Sequence, residues 1–303
     1  MKLTSDAFSK ARDFIEKNAR TVDLAMFEYH FENGSVDAVL QELMKYQNPD
    51  GGFGNAIEPD LRLKASSPFA SSVGLQYCVE IGLKADSPVI QRVMEYLLST
   101  YDSEHHYWTY TFMDVNEEPH APWWHMEELV PPKESSWPNP SAELIGYCNR
   151  YSELVPEEML KQMNKRALAN LESSETIEGL YNVMCWERAY QSLPEPLMST
   201  ALYKIERTFR RLGPFTPEIL GEIRIFWIAP TPESLLMVRP GDVYELLGEE
   251  VRKQADDGGW WPTWKWGQYE DVWPIAEREW AGKITVHCLA ALKAFDKAFD
   301  MIE

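Results

Sequence analysis

Apolar residues recur along this chain at the spacing of a helix, not of a strand. Phe8, Ala11, Phe14 and Ile15 share one face behind Ser5-Asp6, which predicts an N-cap there. Val36, Val39, Leu40 and Leu43 make a second stripe that runs out at Asn48-Pro49-Asp50-Gly51-Gly52. The same period predicts helices over roughly 69–82, 88–99, 141–152, 157–172, 175–192, 197–212, 242–254 and 281–300. Strict alternation is scarce, and Tyr107 to Phe112 is the best stretch of it. The expectation is an all-α chain.

The connections between these helices are long and rich in Trp and Pro. Residues 104–140 hold Trp108, Trp123, Trp124 and Trp137 among Pro119, Pro122, Pro131, Pro132, Pro138 and Pro140. Residues 228–241 and 258–280 are similar. Segments this apolar make poor linkers and are expected to fold over something. No Gly/Ser linker or low-complexity run divides the chain, so a single domain over 1–303 is expected.

Two segments match each other. Gln47-Asn48-Pro49-Asp50-Gly51-Gly52-Phe53 and Gln254-Ala255-Asp256-Asp257-Gly258-Gly259-Trp260 share Gln, two residues, Asp, two glycines and an aromatic. Each closes an amphipathic helix and leads through a loop to an apolar one, Phe69 to Cys78 and Ile284 to Phe295. Paired glycines permit the positive φ that ends a helix. The Gln and Asp side chains can satisfy backbone groups left open there. The aromatic ring then covers the turn.

These turns resemble the Gln/Trp-type repeat of squalene-hopene and oxidosqualene cyclases and of protein prenyltransferase β subunits. The resemblance implies an α/α toroid, a barrel of alternating inner and outer helices with its ligand site in the central cavity. Asn139 to Tyr147 is similar to the opening of an inner helix in a third copy whose Gly-Gly loop has decayed, and 175–192 and 218–240 would be further degenerate copies. The chain lacks the Asp-x-Asp-Asp acid motif of the class II cyclases. Two places before Cys78, Cys148, Cys185 and Cys288 stand Gln76, Gly146, Val183 and Val286, so the Asp-x-Cys of the zinc prenyltransferases is missing too. No P-loop, dinucleotide fingerprint, nucleophile elbow or EF-hand loop occurs. Neither a metal nor a cofactor is expected.

Charge narrows the partners. Against 29 Lys and Arg stand 48 Asp and Glu, a net −19 that repels nucleic acid and anionic membrane surfaces. No apolar run approaches the ~20 residues needed to cross a bilayer. The N-terminus turns polar at once, without a signal-peptide core, which leads to the expectation of a cytoplasmic protein. The four scattered cysteines read as reduced thiols filling the core.

On the toroid reading, the loops after the glycine turns look into the cavity. The first supplies Glu58-Pro59-Asp60-Leu61-Arg62, two carboxylates at a nearly fixed relation, suited to acid/base work, with Arg62 able to hold a ligand. The bland alternative is a helix cap or a pair with Arg62. The last loop supplies Glu270 and Asp271 among Trp260, Trp261, Trp264, Trp266, Trp273 and Trp280. These rings, Trp264 and Trp266 first, could face a carbocation or a sugar, or could simply plug the barrel. Trp124 and His125, with Trp137 downstream, form a third candidate ligand-binding group, and a structural His is the bland reading. Glu143 and Glu178 fall on candidate inner helices, where a buried carboxylate needs a reason. The expected function is an enzyme taking a small-molecule isoprenoid in an acidic, aromatic cavity. The alternatives are a glycoside hydrolase or polysaccharide lyase acting on an oligosaccharide, and a non-catalytic ligand- or protein-binding toroid.

Overall fold

A computed structural model describes residues 2–302 and is helical throughout. The helices are α1 (Ser5–Asn18), α2 (Thr21–Phe31), α3 (Val36–Leu43), α4 (Pro68–Glu80), α5 (Pro88–Thr100), α6 (Pro138–Arg150), α7 (Glu157–Glu172), α8 (Leu180–Ala189), α9 (Leu197–Arg211), α10 (Pro217–Leu220), α11 (Ile225–Ile228), α12 (Pro240–Arg252) and α13 (Trp273–Phe299). Among the described residues there is no strand, and no helix is long and apolar enough to cross a membrane. The alternation at 107–112 therefore builds no ladder: Tyr107 bridges Asp102, and the chain then enters a 3-10 turn at Met113–Glu117.

Three boundaries differ from expectation, each for a local reason. Thr4, not Ser5-Asp6, caps α1, its Oγ1 accepting from Ala7 N at 3.1 Å. α13 begins inside the segment expected to be loop, because Pro274 suits a first turn and the residues after it continue the helix. α2 has no counterpart in the sequence pattern: Val22, Asp23, Ala25, Met26 and Phe27 are buried around it, so no single apolar stripe announces it.

The chain gathers into two compact units, one from Met1–Glu42 with Phe209–Glu303 and one from Leu43–Thr208. Both crossings fall within helices, α3 and α9, which explains why no linker composition marks them. In the 43–208 unit α6 is the hub, buried from Pro140 to Cys148 and packed on α4, α7 and α8. In the other unit α13 packs on α1 and α2, and the two chain ends meet where Leu3 N donates to Met301 O at 2.8 Å.

Each unit contains one glycine turn, and the two are built alike. Gln47 Nε2 donates to Gly51 O at 2.9 Å and to Val89 O on α5 at 3.1 Å. Gly52 N donates to Asp50 Oδ1 and Phe53 N to Ser71 Oγ on α4, both at 3.0 Å. Gly51 has φ 93°, and a Cβ there would stand 2.3 Å from Arg92 O. In the second turn Gln254 Nε2 donates to Gly258 O at 2.9 Å and to Ala7 O on α1 at 2.8 Å. Gly259 N donates to Asp257 Oδ1 at 3.0 Å, and Trp260 N to Thr285 Oγ1 on α13 at 2.9 Å. Gly258 also has φ 93°, with a Cβ 2.3 Å from Lys10 O. Thus α1 serves the last turn as α5 serves the first.

A third joint of related construction lies ahead of α6. Trp108 N donates to Ser141 Oγ at 3.1 Å, and Trp108 Nε1 to Leu97 O at 2.8 Å, as Trp260 Nε1 does to Glu250 O at 2.7 Å. His106, at φ 57°, takes the place of the first glycine. Trp137 Nε1 donates to His106 O at 2.8 Å, where the other joints use a glutamine.

Candidate functional site

The latch to Ser71 fixes α4 in the 43–208 unit. From Pro68 to Cys78 that helix is buried except at Phe69 and Gln76, two turns apart and hence on one face. Beneath Gln76 lies Glu143 of α6, only 3% accessible in its side chain. Its Oε1 accepts from Gln76 Nε2 at 2.8 Å and from Tyr147 O–H at 2.7 Å, and its Oε2 from Arg188 Nη1 at 2.9 Å. Three helices, α4, α6 and α8, thus bring a polar side chain to one carboxylate, which explains the acidic residue on α6. Glu178, the other such carboxylate, is exposed.

The electrostatics follow from this packing. Burial, then the Glu143 charge, pushes the Tyr147 phenol well above its usual range, so it remains an O–H donor. Burial pulls the Arg188 guanidinium down, but Glu143 outweighs it and the group ends above its usual value. Arg188 nevertheless keeps 33% of its side chain accessible, so the group is open to solvent and not sealed. Burial and Glu143 push the Cys185 thiol well up, leaving it inert. Tyr110, which feels Cys185, is pushed up to about 12, chiefly by burial.

Phe69, on the face of α4 that carries Gln76, opens an aromatic shelf, and its N donates to Tyr110 O at 3.0 Å. Trp124 lies over Phe69, ring centroids 4.5 Å apart, and 6.2 Å from Tyr110. All three rings are partly accessible. Trp124 also rests on Leu61, Leu63 and Val115, so the shelf continues into the loop that carries Glu58 and Asp60. That loop is strapped by the Trp/Pro segment: Arg62 N donates to Pro119 O at 3.1 Å, and Ala121 N to Asp60 O at 2.9 Å. Glu58 and Asp60 are both buried, and Arg62 is half-buried.

Other expected site residues belong to the other unit or differ in character. His125 is exposed and stacks on buried His120, centroids 5.7 Å apart. Trp137 is wholly buried, with Arg166 4.4 Å over its ring, and so acts in the third joint. In the other unit Glu270 and Asp271 are exposed, as a solvated pair would be. Trp264 packs against Trp280 and Trp227 at 5.2 and 6.2 Å, and Trp266 is buried against Trp273 at 5.4 Å. Rings that close leave no room for a ligand between them, so they fill space as a plug does. Gln76 and Arg188 escaped the sequence reading, because their pairings with Glu143 span 67 and 45 positions.

No protein-family model, curated protein or solved structure matches this chain.

Proposed function

We propose that the chain is an α/α toroid enzyme whose site, in the 43–208 unit, binds and cleaves a carbohydrate. The toroid reading is supported by three joints of one construction, the last completed by the N-terminal helix. The observation that carries the substrate class is that one face of α4 presents both parts, Phe69 under Trp124 and Gln76 on Glu143, whose other oxygen holds Arg188. A sugar ring offers an apolar face to the first and hydroxyls to the second. An uncharged isoprenoid would have to lie against a guanidinium it cannot satisfy, at about 1–3 kcal/mol per polar group left dry, whereas an isoprenyl diphosphate could offer it phosphate oxygens. The isoprenoid remains the second reading, favoured by the shelf.

Glycosidic cleavage uses two carboxyl groups, and buried Glu58 and Asp60, on the loop packed beneath Trp124, are the acid/base candidates. Glu143 accepts three hydrogen bonds and acts by holding its donors. The test screens neutral and uronic oligosaccharides and isoprenyl diphosphates by thermal shift, together with release of reducing ends. Saccharides are expected to raise the wild-type Tm, and Trp124→Ala to abolish the rise. Glu58→Gln and Asp60→Asn are expected to keep the rise and lose the product. A rise with isoprenyl diphosphates alone overturns the proposal.

A further inference from the structure

Arg188 is only half committed. Its Nη1 donates to Glu143, and among the described residues Nε and Nη2 have no hydrogen-bond partner. Two other arginines use both Nη atoms within the protein, although Arg224 Nε also lacks a partner among the described residues. Arg166 donates through both Nη atoms to the two oxygens of Glu134, at 2.9 and 2.8 Å. Arg224, 4% accessible, donates to Glu250 and to Trp261 O. Arg188 keeps a third of its side chain open, with its free Nε–Nη2 edge unmatched. Glu143 cannot turn to serve that edge, since both its oxygens are already bonded across three helices.

A guanidinium edge with two parallel N–H groups matches a planar carboxylate in a way a single ammonium does not. The chain as a whole carries −19, so its general field repels anions, and selectivity for one must come from a local, geometrically held cation. Resting on the carbohydrate reading, we propose that Arg188 receives the carboxylate of an acidic sugar, so that the site takes uronic acid units in preference to neutral ones. Glu143 is then a positioning residue, holding the fork through Nη1 so that the opposite edge faces the ligand.

The test measures binding by calorimetry of galacturonate and glucuronate trimers, the matching neutral trimers, and cyclohexanecarboxylate as a carboxylate without a sugar. The wild type is expected to bind uronates at least tenfold more tightly than neutral trimers. Arg188→Lys keeps the charge beside Glu143 and removes the fork, and uronate affinity is expected to fall about 10- to 100-fold with neutral affinity unchanged. Equal wild-type affinity for uronic and neutral trimers overturns the assignment and leaves the carbohydrate reading standing, as does a Lys variant that loses nothing. Cyclohexanecarboxylate bound through Arg188 with no sugar bound keeps the carboxylate site and sinks the carbohydrate reading. No binding by any probe overturns both. The wild-type preference needs no variant, so a poorly folded Lys protein does not spoil the result.

Discussion

The first and last glycine turns do the same work with chain from different places. At the first, Gln47 reaches forward to Val89, on the helix that follows α4 in sequence. At the last, Gln254 reaches back to Ala7 on α1, 247 positions away. Val89, Arg92 and Tyr96 meet the first turn as Ala7, Lys10 and Phe14 meet the second, in one register. A local closure and a closure between chain ends thus share one geometry, and the difference lies in the entropy of bringing the parts together. Breaking the first should loosen a stretch inside the chain; breaking the second should free a terminus.

The largest effect is expected at the first glycine of each pair. Gly51→Ala and Gly258→Ala place a Cβ 2.3 Å from a backbone oxygen at φ 93°. The left-handed conformation alone costs ~1–2 kcal/mol, and a backbone clash adds to it, so about 3 kcal/mol or more is expected in urea unfolding. If either variant is as stable as the wild type, the two turns are not the rigid joints described. Next come the hydroxyl latches. Ser71→Ala, Ser141→Ala and Thr285→Val each strand a buried backbone N–H, at a cost of about 1–3 kcal/mol. A silent Ser141→Ala would remove the third joint from the series.

Gln47→Ala and Gln254→Ala sharpen the contrast most directly. Each deletes two hydrogen bonds, and each is expected to cost about 1–2 kcal/mol. Hydrogen exchange should tell them apart. Gln254→Ala is expected to speed exchange across α1, from Ser5 onward, by sub-global opening, while Gln47→Ala leaves α1 protected. Equal protection of α1 in both variants would mean that the chain ends are held by other contacts.

What the sequence shows of this arrangement follows its range. The glycine turns are legible because Gln, Asp and both glycines stand within six residues and answer to one local geometry. The third joint is not, since His106 takes the positive φ and its aromatic, Trp108, docks 33 positions downstream on Ser141. Apolar neighbours signal the burial of Glu58 and Asp60, whereas Glu270 and Asp271 sit among equally many tryptophans and are exposed. The difference is that Trp264, Trp266, Trp273 and Trp280 satisfy one another, as no composition reveals. Arg188 on α8 looks like any helical arginine until its partner on α6 is in place.

The smallest expected effect separates the third joint from the other two by pH. All three joints contain an Asp, but where the glycine joints add a neutral glutamine, this joint adds the Asp102–His105 pair and the Glu134 clamp on Arg166. Asp102 Oδ1 accepts from Glu104 N and His105 N, and its Oδ2 pairs with His105 Nδ1, all at 2.9 Å. Burial raises its carboxyl, but the bonds from His105 and Glu104 outweigh it and hold it below the usual range. Glu134, which clamps Arg166 over Trp137, is held low in the same way, burial opposed by Arg166 and Asn170. A carboxyl whose folded pKa is depressed contributes stability above its unfolded value of about 4, and that contribution vanishes as pH falls through the folded value. Both groups are partly exposed, so each is expected to contribute no more than about 1 kcal/mol. The Tm gap between wild type and Glu134→Gln or Asp102→Asn should therefore narrow as pH drops from 6 to about 3. Over the same range, the gap for Gln47→Ala should stay constant. A gap that narrows equally for all three would mean that acid loosens the protein generally and that the third joint is not the more pH-sensitive one.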